Sequence, residues 1–522
     1  MKLDDYRKSK YKDDTPVTTV KRIKDILNKL GIKTIEKYYS PGINGLFSCR
    51  ITIRGTEIGQ NGKGTTPEYA LASGYAEFIE RLSTGFLIPF EAGDKTDEGY
   101  PFVNVKNDNT IYISESTYRG CIFTNGSCAG NSKPEALTQG ISELMERYAS
   151  RRVITDKLTP PVIPEKNLQS VPEVYQTICR IRENKDYYIR IVDASLGMGL
   201  PVVGALLADK TRKSECIRFG AHPRFETALE RAITELYQGV GLDEHPITTS
   251  AGFEYEDIIS GERNWFNSLK SGIGKVSYKF FLDNPDWEYK EWKEAPVTTK
   301  GQYEYLLDLC ENLGFDLYVR NCSFYGFDVF HVFSPQMGMP MGDGDAFTLQ
   351  RELTEKYKDV FRDFPNASEK DQNRALNTIR LYKGFAVHED IDFLSGFRLK
   401  SNLFGNKIDY AILSALSRIK RGEYAEAAKK LAAYCGSNNK IYVLQQVCLI
   451  KSKCIDINDA RPALECMFDK EDITDAMRVF NDPYSVLPAC CFPSCNECSR
   501  KNICDTYYTR NIRKNLEERN SL

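Results

Sequence analysis

Three stretches of this chain carry one pattern. They read Ser73-x3-Glu77-x2-Glu80-Arg81, Gln139-x3-Glu143-x2-Glu146-Arg147 and Arg231-x3-Glu235-x2-Gln238. On an α-helix turning about 100° per residue, these positions fall within an arc of about 100°. The opposite side is apolar at equivalent positions: Leu71, Tyr75, Phe78 and Leu82; Leu137, Ile141, Leu144 and Tyr148; Leu229, Ile233, Leu236 and Val240. From Ala136 and Ala228 onward, the second and third copies align without a gap. The chain is therefore expected to fold around three similar amphipathic helices. Each must lie on a core and present an acid-rich stripe, with five glutamates and three arginines among them.

One Glu-x2-Glu-Arg is an ordinary solvent face, and duplication alone would repeat it. Two details point further. Gly-rich turns, Asn61-Gly62-Lys63-Gly64 and Asn125-Gly126-Ser127-Cys128-Ala129-Gly130-Asn131, precede the first two helices, where backbone N–H groups are able to face phosphate. The third copy exchanges an acid for Gln238 and gains Arg231, as an asymmetric nucleotide site requires. Carboxylates supply the hard oxygen ligands that Mg²⁺ shares with phosphates, and arginines clamp phosphate oxygens. No Gly-x4-Gly-Lys-Ser/Thr loop and no kinase signature set is present, so this is a different phosphate fold.

At 522 residues and 41% apolar content, two or three domains are expected. A net charge of −2 gives no general attraction to nucleic acid or anionic membrane. The longest apolar run, around 200–208, is far short of a bilayer span. The first residues have no apolar signal core, so a cytoplasmic protein is expected.

Val20, Ile23, Ile26, Leu27 and Leu30 predict a first amphipathic helix ended by Gly31, and residues 47–58 alternate as a strand. Strands are also predicted at 187–193, 201–208 and 215–220. A two-helix stretch around 301–313 leads to paired strands at 316–323 and 328–333. The fold class is α/β with internally duplicated units. After about Phe385 strand signals vanish, and helices are predicted at 411–435 and 441–454, with another pair at 463–468 and 473–480. The phrase Arg421-Gly422-Glu423-Tyr424-Ala425-Glu426-Ala427-Ala428 has the spacing of a tetratricopeptide-type hairpin. The expected division is a catalytic domain over 1–385, an all-α helical-repeat-like domain over 386–482, a Cys-rich segment over 483–510 and a charged tail over 511–522.

Asn61-Gly62-Lys63-Gly64-Thr65-Thr66, then Ala70-Leu71-Ala72-Ser73 and Glu77-x2-Glu80-Arg81-Leu82-Ser83, resemble the YcaO family, and its founding enterobacterial type in particular. The similarity runs over roughly residues 10–345, and the helical C-terminal part is similar to that type's tetratricopeptide-like extension. The resemblance implies a YcaO fold that binds ATP and Mg²⁺. It implies nucleotide contacts from Lys12 and Thr19, which match an N-terminal Lys-x6-Ser motif, and from Ser73, Glu77, Glu80 and Arg81. Asn131-x3-Glu135 matches the second motif, with Cys128 where a serine usually stands. Glu143, Glu146 and Arg147 match the next, and Arg231, Glu235 and Gln238 the last. The Mg²⁺ ligands expected are Glu77, Glu80, Glu143, Glu146 and Glu235.

The activity implied is ATP-dependent activation of a peptide or protein backbone amide, giving an azoline, thioamide or related product according to the nucleophile. The founding type is linked to methylthiolation of a ribosomal protein. Azoline-forming relatives commonly end in a Pro-rich tail; this chain ends Arg519-Asn520-Ser521-Leu522, which counts against peptide cyclodehydration without excluding thioamidation. A sulfur-donor or accessory protein and a homodimeric assembly are the further partners expected. No residue announces itself as general base; His222, His245 and His331 read as structural. A rival class is a non-catalytic adaptor that binds nucleotide or peptide and presents its helical domain to a partner.

Of sixteen cysteines, Cys490, Cys491, Cys495, Cys498 and Cys504 crowd into one short segment. Four close thiolates suit an iron–sulfur cluster of the 4Fe–4S type or, alternatively, Zn²⁺, with a thiol relay as a third reading.

Overall fold

The computed structural model describes residues 12–56, 58–88, 90, 93–114, 117–118, 122–241, 244, 249–250, 264–265, 268, 275–323, 325–338, 356–357, 360–361, 363–381, 410–432, 438–487 and 505–520. Two compact units emerge: Met1–Gly344 with Asn511–Leu522, and Asp345–Arg510.

In the first unit, Thr15 caps helix α1 (Pro16–Lys29), whose Ile23, Ile26 and Leu27 are buried. Strands β1 (Thr34–Tyr39), β2 (Phe47–Ile53) and β3 (Gly59–Gly64) form an antiparallel sheet that runs into α2 (Pro67–Ser83). Next come β4 (Tyr100–Asn104), β5 (Thr110–Ile113), β6 (Ser127–Gly130), the long α3 (Lys133–Thr155), and short helices α4 (Glu165–Gln169) and α5 (Pro172–Glu183). Strands β7 (Tyr187–Asp193), β8 (Val202–Asp209) and β9 (Ser214–Ala221) lead to α6 (Phe225–Leu236) and a short β10 (Thr249–Ser250). Helix α7 (Thr299–Asn312) precedes β11 (Tyr318–Asn321) and β12 (Asp328–Phe333). The second and third sheets have orders β5-β4-β11-β12-β6 and β10-β9-β8-β7.

Three strand–helix pairs carry the architecture: β3 with α2, β6 with α3, and β9 with α6. In each, a Pro, Thr or Ser turn opens the helix; Thr66 and Ser132 cap α2 and α3 by accepting from backbone amides. The close approach recurs at equivalent positions. A Cβ on Gly62 would meet Ala70 O at 2.1 Å and Gly74 N at 2.2 Å. A Cβ on Gly220 would meet Ala228 O and Ala232 N, both at 2.4 Å. In the second pair Cys128 takes that place, and Gly140 makes room beneath it.

Several expectations change here. Of the two Gly-rich segments, the first is no loop and the second is a turn only at Asn125-Gly126. Residues 61–64 belong to β3, paired with β2, and 127–130 are β6, paired with β12. Their glycines serve helix packing, because a side chain there would strike helix backbone. The stretch at 301–313 is one continuous helix, α7.

The second unit is helical where described: α8 (Glu369–Leu381), α9 (Tyr410–Lys420), α10 (Tyr424–Leu431), α11 (Asn439–Ser452), α12 (Ile457–Met467) and α13 (Lys470–Asn481). Gly422, at φ +77°, separates α9 from α10 within the predicted 411–435 helix. Phe361, Phe364 and Leu376 join the core made by Leu413, Leu416, Val443, Leu444 and Val479. The unit boundary accordingly falls at Gly344 rather than near Phe385. The residues read as a charged tail belong to α14 (Asp505–Asn520), whose Ile512 and Leu516 are buried in the core of the first unit beside Ile23 and Leu27. The pattern behind that burial is two apolar residues one turn apart in a polar sequence. The five clustered cysteines lie outside the described residues.

Candidate functional site

The three strand–helix pairs turn the polar stripes of their helices onto one cavity of ≈ 480 Å³. Helix α2 supplies Ser73, Glu77, Glu80 and Arg81; α3 supplies Glu135, Glu143, Glu146 and Arg147; α6 supplies Arg231 and Glu235, with Gln238 just beyond its end. Lys12, Thr19 and Asn131 complete one side. Of the residues singled out in the sequence as nucleotide contacts, only Cys128 is not in the wall. It is wholly buried, its thiol donates to Phe330 O at 3.4 Å, and burial raises its pKa well above the ordinary range. Its side chain faces α3 at the position where the other two strands carry glycine.

Hydrogen bonds fasten the end of the cavity near α1. Lys12 Nζ lies 3.2 Å from Glu135 Oε1, and the Asp13 amide donates to Glu135 Oε2 at 2.7 Å. Asn131 Nδ2 donates to the same carboxylate at 3.2 and 3.3 Å, and its Oδ1 accepts from the Thr19 hydroxyl at 3.0 Å. Asp13 accepts from the Thr299 hydroxyl at 2.8 Å and from the Ser132 hydroxyl. Glu135 is thus committed to protein donors.

The centre is acidic. Arg81 NH1 sits 2.7 Å from Glu80 Oε1 and NH2 sits 3.6 Å from Glu77; the same guanidinium donates to Thr124 O at 3.3 Å. Arg147 lies 3.9 Å from Glu143 and 3.8 Å from Glu146. Lys63 contacts the Glu235 carboxylate, and Arg231 NH1 donates to Ala221 O at 2.7 Å. Despite these cations, Glu80 Oε1 and Glu235 Oε2 are buried without a hydrogen bond of sound geometry. Burial pushes the Glu80 carboxyl up to about 8 against the pull of Arg81, and Glu143 and Glu77 add to the rise. Burial also raises Glu143, with Arg147 opposing. Lys63 is lowered to about 8, chiefly by burial. A wall that destabilises its own carboxylates is suited to take up a cation.

Among the described residues, no group of three or more His, Cys, Asp or Glu side chains forms a ready-made metal cage. Mg²⁺ rarely uses one; it takes one or two carboxylates and completes its shell with water and phosphate. Glu80 and Glu235, each held by a cation of the protein, are carboxylates of the kind that demand calls for.

Sequence reading missed Lys63, Arg218 and Trp265, which also line the cavity. Arg218 had a signal, a charge inside the apolar strand Cys216–Phe219. Lys63 was concealed by its glycines, and Trp265 by sequence distance. The described histidines lie outside the wall. His331 Nε2 donates to Asn125 O at 2.8 Å and Nδ1 accepts from Tyr118 at 3.0 Å; burial lowers its pKa to about 3. His222 Nδ1 accepts from the Arg224 amide at 3.1 Å, and burial holds it neutral. His245 is outside the described residues.

Acidic faces and arginines from three helices surround one cavity. Residues 100–338 match the family model described as YcaO cyclodehydratase, ATP- and Mg²⁺-binding. The chain thus carries a YcaO family domain over these residues. It is 25% identical over 427 residues to the Escherichia coli ribosomal protein S12 methylthiotransferase accessory factor YcaO, covering 70% of this chain and 72% of that one. An uncharacterized protein of Haemophilus influenzae is 24% identical over 414 residues, with 68% and 70% covered. Among solved structures, YcaO from Methanopyrus kandleri bound with AMPPCP and Mg²⁺ resembles it at a TM-score of 0.42 and 21% identity, over 62% of this chain and 91% of that one.

Proposed function

We propose that this protein uses ATP and Mg²⁺ to activate a backbone amide of a peptide or protein, phosphorylating its carbonyl oxygen so that a nucleophile replaces it. The observation that carries the reading is the cavity wall: five glutamates of three helices face one another there with Arg81, Arg147 and Arg231 beside them. Glu80 and Glu235 are held by Arg81 and Lys63, cations that a bound metal would have to compete with, and Glu77, Glu143 and Glu146 line the same wall. When bound, Mg-ATP supplies a phosphoryl group that turns a poor leaving group, the amide oxygen, into phosphate.

The protein's own share is positioning and charge. The carboxylates hold the metal, and the arginines bind phosphate oxygens bidentately where geometry permits. Lys12, Thr19 and Asn131 hold the nucleotide end beside α1. Packing of α2, α3 and α6 on glycine-bearing strands fixes all three stripes before ligand arrives, which lowers the cost of ordering them.

The nucleophile decides the product: a neighbouring Cys, Ser or Thr gives an azoline, and sulfide gives a thioamide. The similarity to the E. coli ribosomal protein S12 methylthiotransferase accessory factor makes a ribosomal protein or its modifying enzyme the first partner to try. The test is mass spectrometry of candidate peptides and proteins incubated with this chain, ATP and Mg²⁺. Water loss identifies an azoline and oxygen-to-sulfur exchange a thioamide. Nucleotide binding with no turnover under any substrate would replace this reading with the adaptor. For the cysteines at 490–504 we propose a 4Fe–4S cluster, with zinc as the alternative; anaerobically prepared protein is then brown and bleaches with dithionite, and colourless zinc protein decides for the other.

A further inference from the structure

The segment Asn61-Gly62-Lys63-Gly64 does something other than cradle phosphate with its backbone. It is strand β3, and successive side chains of a strand point to opposite faces. Gly62 and Gly64 face α2 so closely that neither tolerates a Cβ: on Gly64 it would lie 2.7 Å from Ala70 N and from Tyr69 Cβ. Lys63 therefore points the other way, into the cavity, from a backbone held on one side by β2 and on the other by α2. Its ammonium contacts Glu235 on α6, in a wall that also holds Glu146, Glu77, Arg231 and Arg147. The equivalent positions in the other two pairs are Ala129 and Ala221, so this cation is delivered by one strand only.

We propose that Lys63 is a phosphate-binding residue of the nucleotide site, resting on Glu235 until a divalent cation takes that carboxylate. The inference rests on the function proposed above. A carboxylate oxygen that faces both Lys63 and Mg²⁺ cannot serve both at full contact, because the two cations repel. Lys63 has a flexible four-carbon stem and a compact point charge. Displaced from Glu235, it stays within the cavity, where a metal-bound phosphate would add a more highly charged anion to Glu146 and Glu77. The ammonium thus serves as a resident counter-ion in the empty site and as a phosphate ligand in the filled one.

Two measurements test this. Equilibrium binding of Mg-AMPPCP and of AMP is compared in wild type, Lys63→Met and Lys63→Arg, with folding followed by circular dichroism. Lys63→Met is expected to weaken Mg-AMPPCP about tenfold or more, leave AMP within about twofold, and tighten binding of Mn²⁺ alone; Lys63→Arg keeps most triphosphate affinity. Equal weakening of AMP, or unchanged Mg-AMPPCP, overturns the assignment. On the wild type, amine labelling read by mass spectrometry should rise at Lys63 with Mg²⁺ alone and fall with Mg-AMPPCP. Labelling indifferent to both overturns it without any variant. A wild type that binds neither nucleotide removes the underlying functional reading as well.

Discussion

The Thr19 hydroxyl donates to Asn131 Oδ1 at 3.0 Å, joining residues 112 positions apart and tying α1 to the start of α3. With Lys12 on Glu135 and Asp13 on Thr299, it makes the α1 end of the cavity a hydrogen-bonded network rather than an apolar contact. Such a network acts as a unit, and its parts are expected to be non-additive.

Asp13→Ala is expected to weaken Mg-AMPPCP binding by about fivefold to tenfold, because it frees the segment that carries Lys12. Adding Lys12→Ala should then cost much less than Lys12→Ala alone. Titration calorimetry on the double-mutant cycle checks this, and strictly additive losses would show that the segment does not act as one piece.

Glu80→Gln and Glu146→Gln should each reduce ATP turnover by about a hundredfold or more while the fold is kept. Phosphate release, with circular dichroism as the control, reads the outcome. Two folded variants with ordinary turnover would remove both residues from the metal site.

Buried Glu80 should cost the metal-free protein stability as pH rises from about 4.3, the ordinary value for Glu, toward the value near 8 that burial gives it. Between those limits the folded state binds more protons than the unfolded one, so the slope is negative, at most about 1.4 kcal/mol per pH unit for one proton. Glu143 acts in the same direction, whereas Lys63, lowered to about 8, contributes only above that pH and with opposite sign. His331 and His222, lowered by burial, act oppositely below about 6.5, so Glu80 is read from the difference: the melting temperature in chelator of wild type minus that of Glu80→Gln should fall with pH across this window. A difference that rises with pH would contradict the burial of Glu80.

Gly62→Ala should destabilise the chain by about 3 kcal/mol or more, because its Cβ meets helix backbone, which cannot turn aside as a side chain would. Cys128→Ala should cost about 1–3 kcal/mol for the lost packing and leave nucleotide affinity unchanged. Chemical denaturation and AMPPCP binding separate the two effects. A Cys128→Ala variant that folds but binds poorly would return Cys128 to the site.

The stripes of α2, α3 and α6 were legible because helical periodicity is local: Ser73, Glu77, Glu80 and Arg81 declare their common face within nine residues. Convergence of the stripes was legible only through the family resemblance, since nothing in spacing says that Glu80 and Glu235 share a cavity. Glycine misled. Residues 61–64 have turn composition, yet β3 needs those glycines because α2 presses on it, a tertiary reason that no local rule contains. Lys63 was missed for the same cause, and Ile512 and Leu516 because two apolar residues in a polar helix carry too weak a periodic signal.

The return of the chain to its starting unit sets an order of events in time. Leu516 and Ile512 pack with Ile23 and Leu27, and Asn515 Nδ2 donates to Leu30 O at 3.3 Å. During synthesis α1 emerges well before Ile512 and Leu516, which follow only after all of Asp345–Arg510. Until then its apolar side is covered only in part, by α2 and the β2 strand, so the remaining gap is a surface where a chaperone would hold the nascent chain. The first unit is thereby closed only after the second has been made.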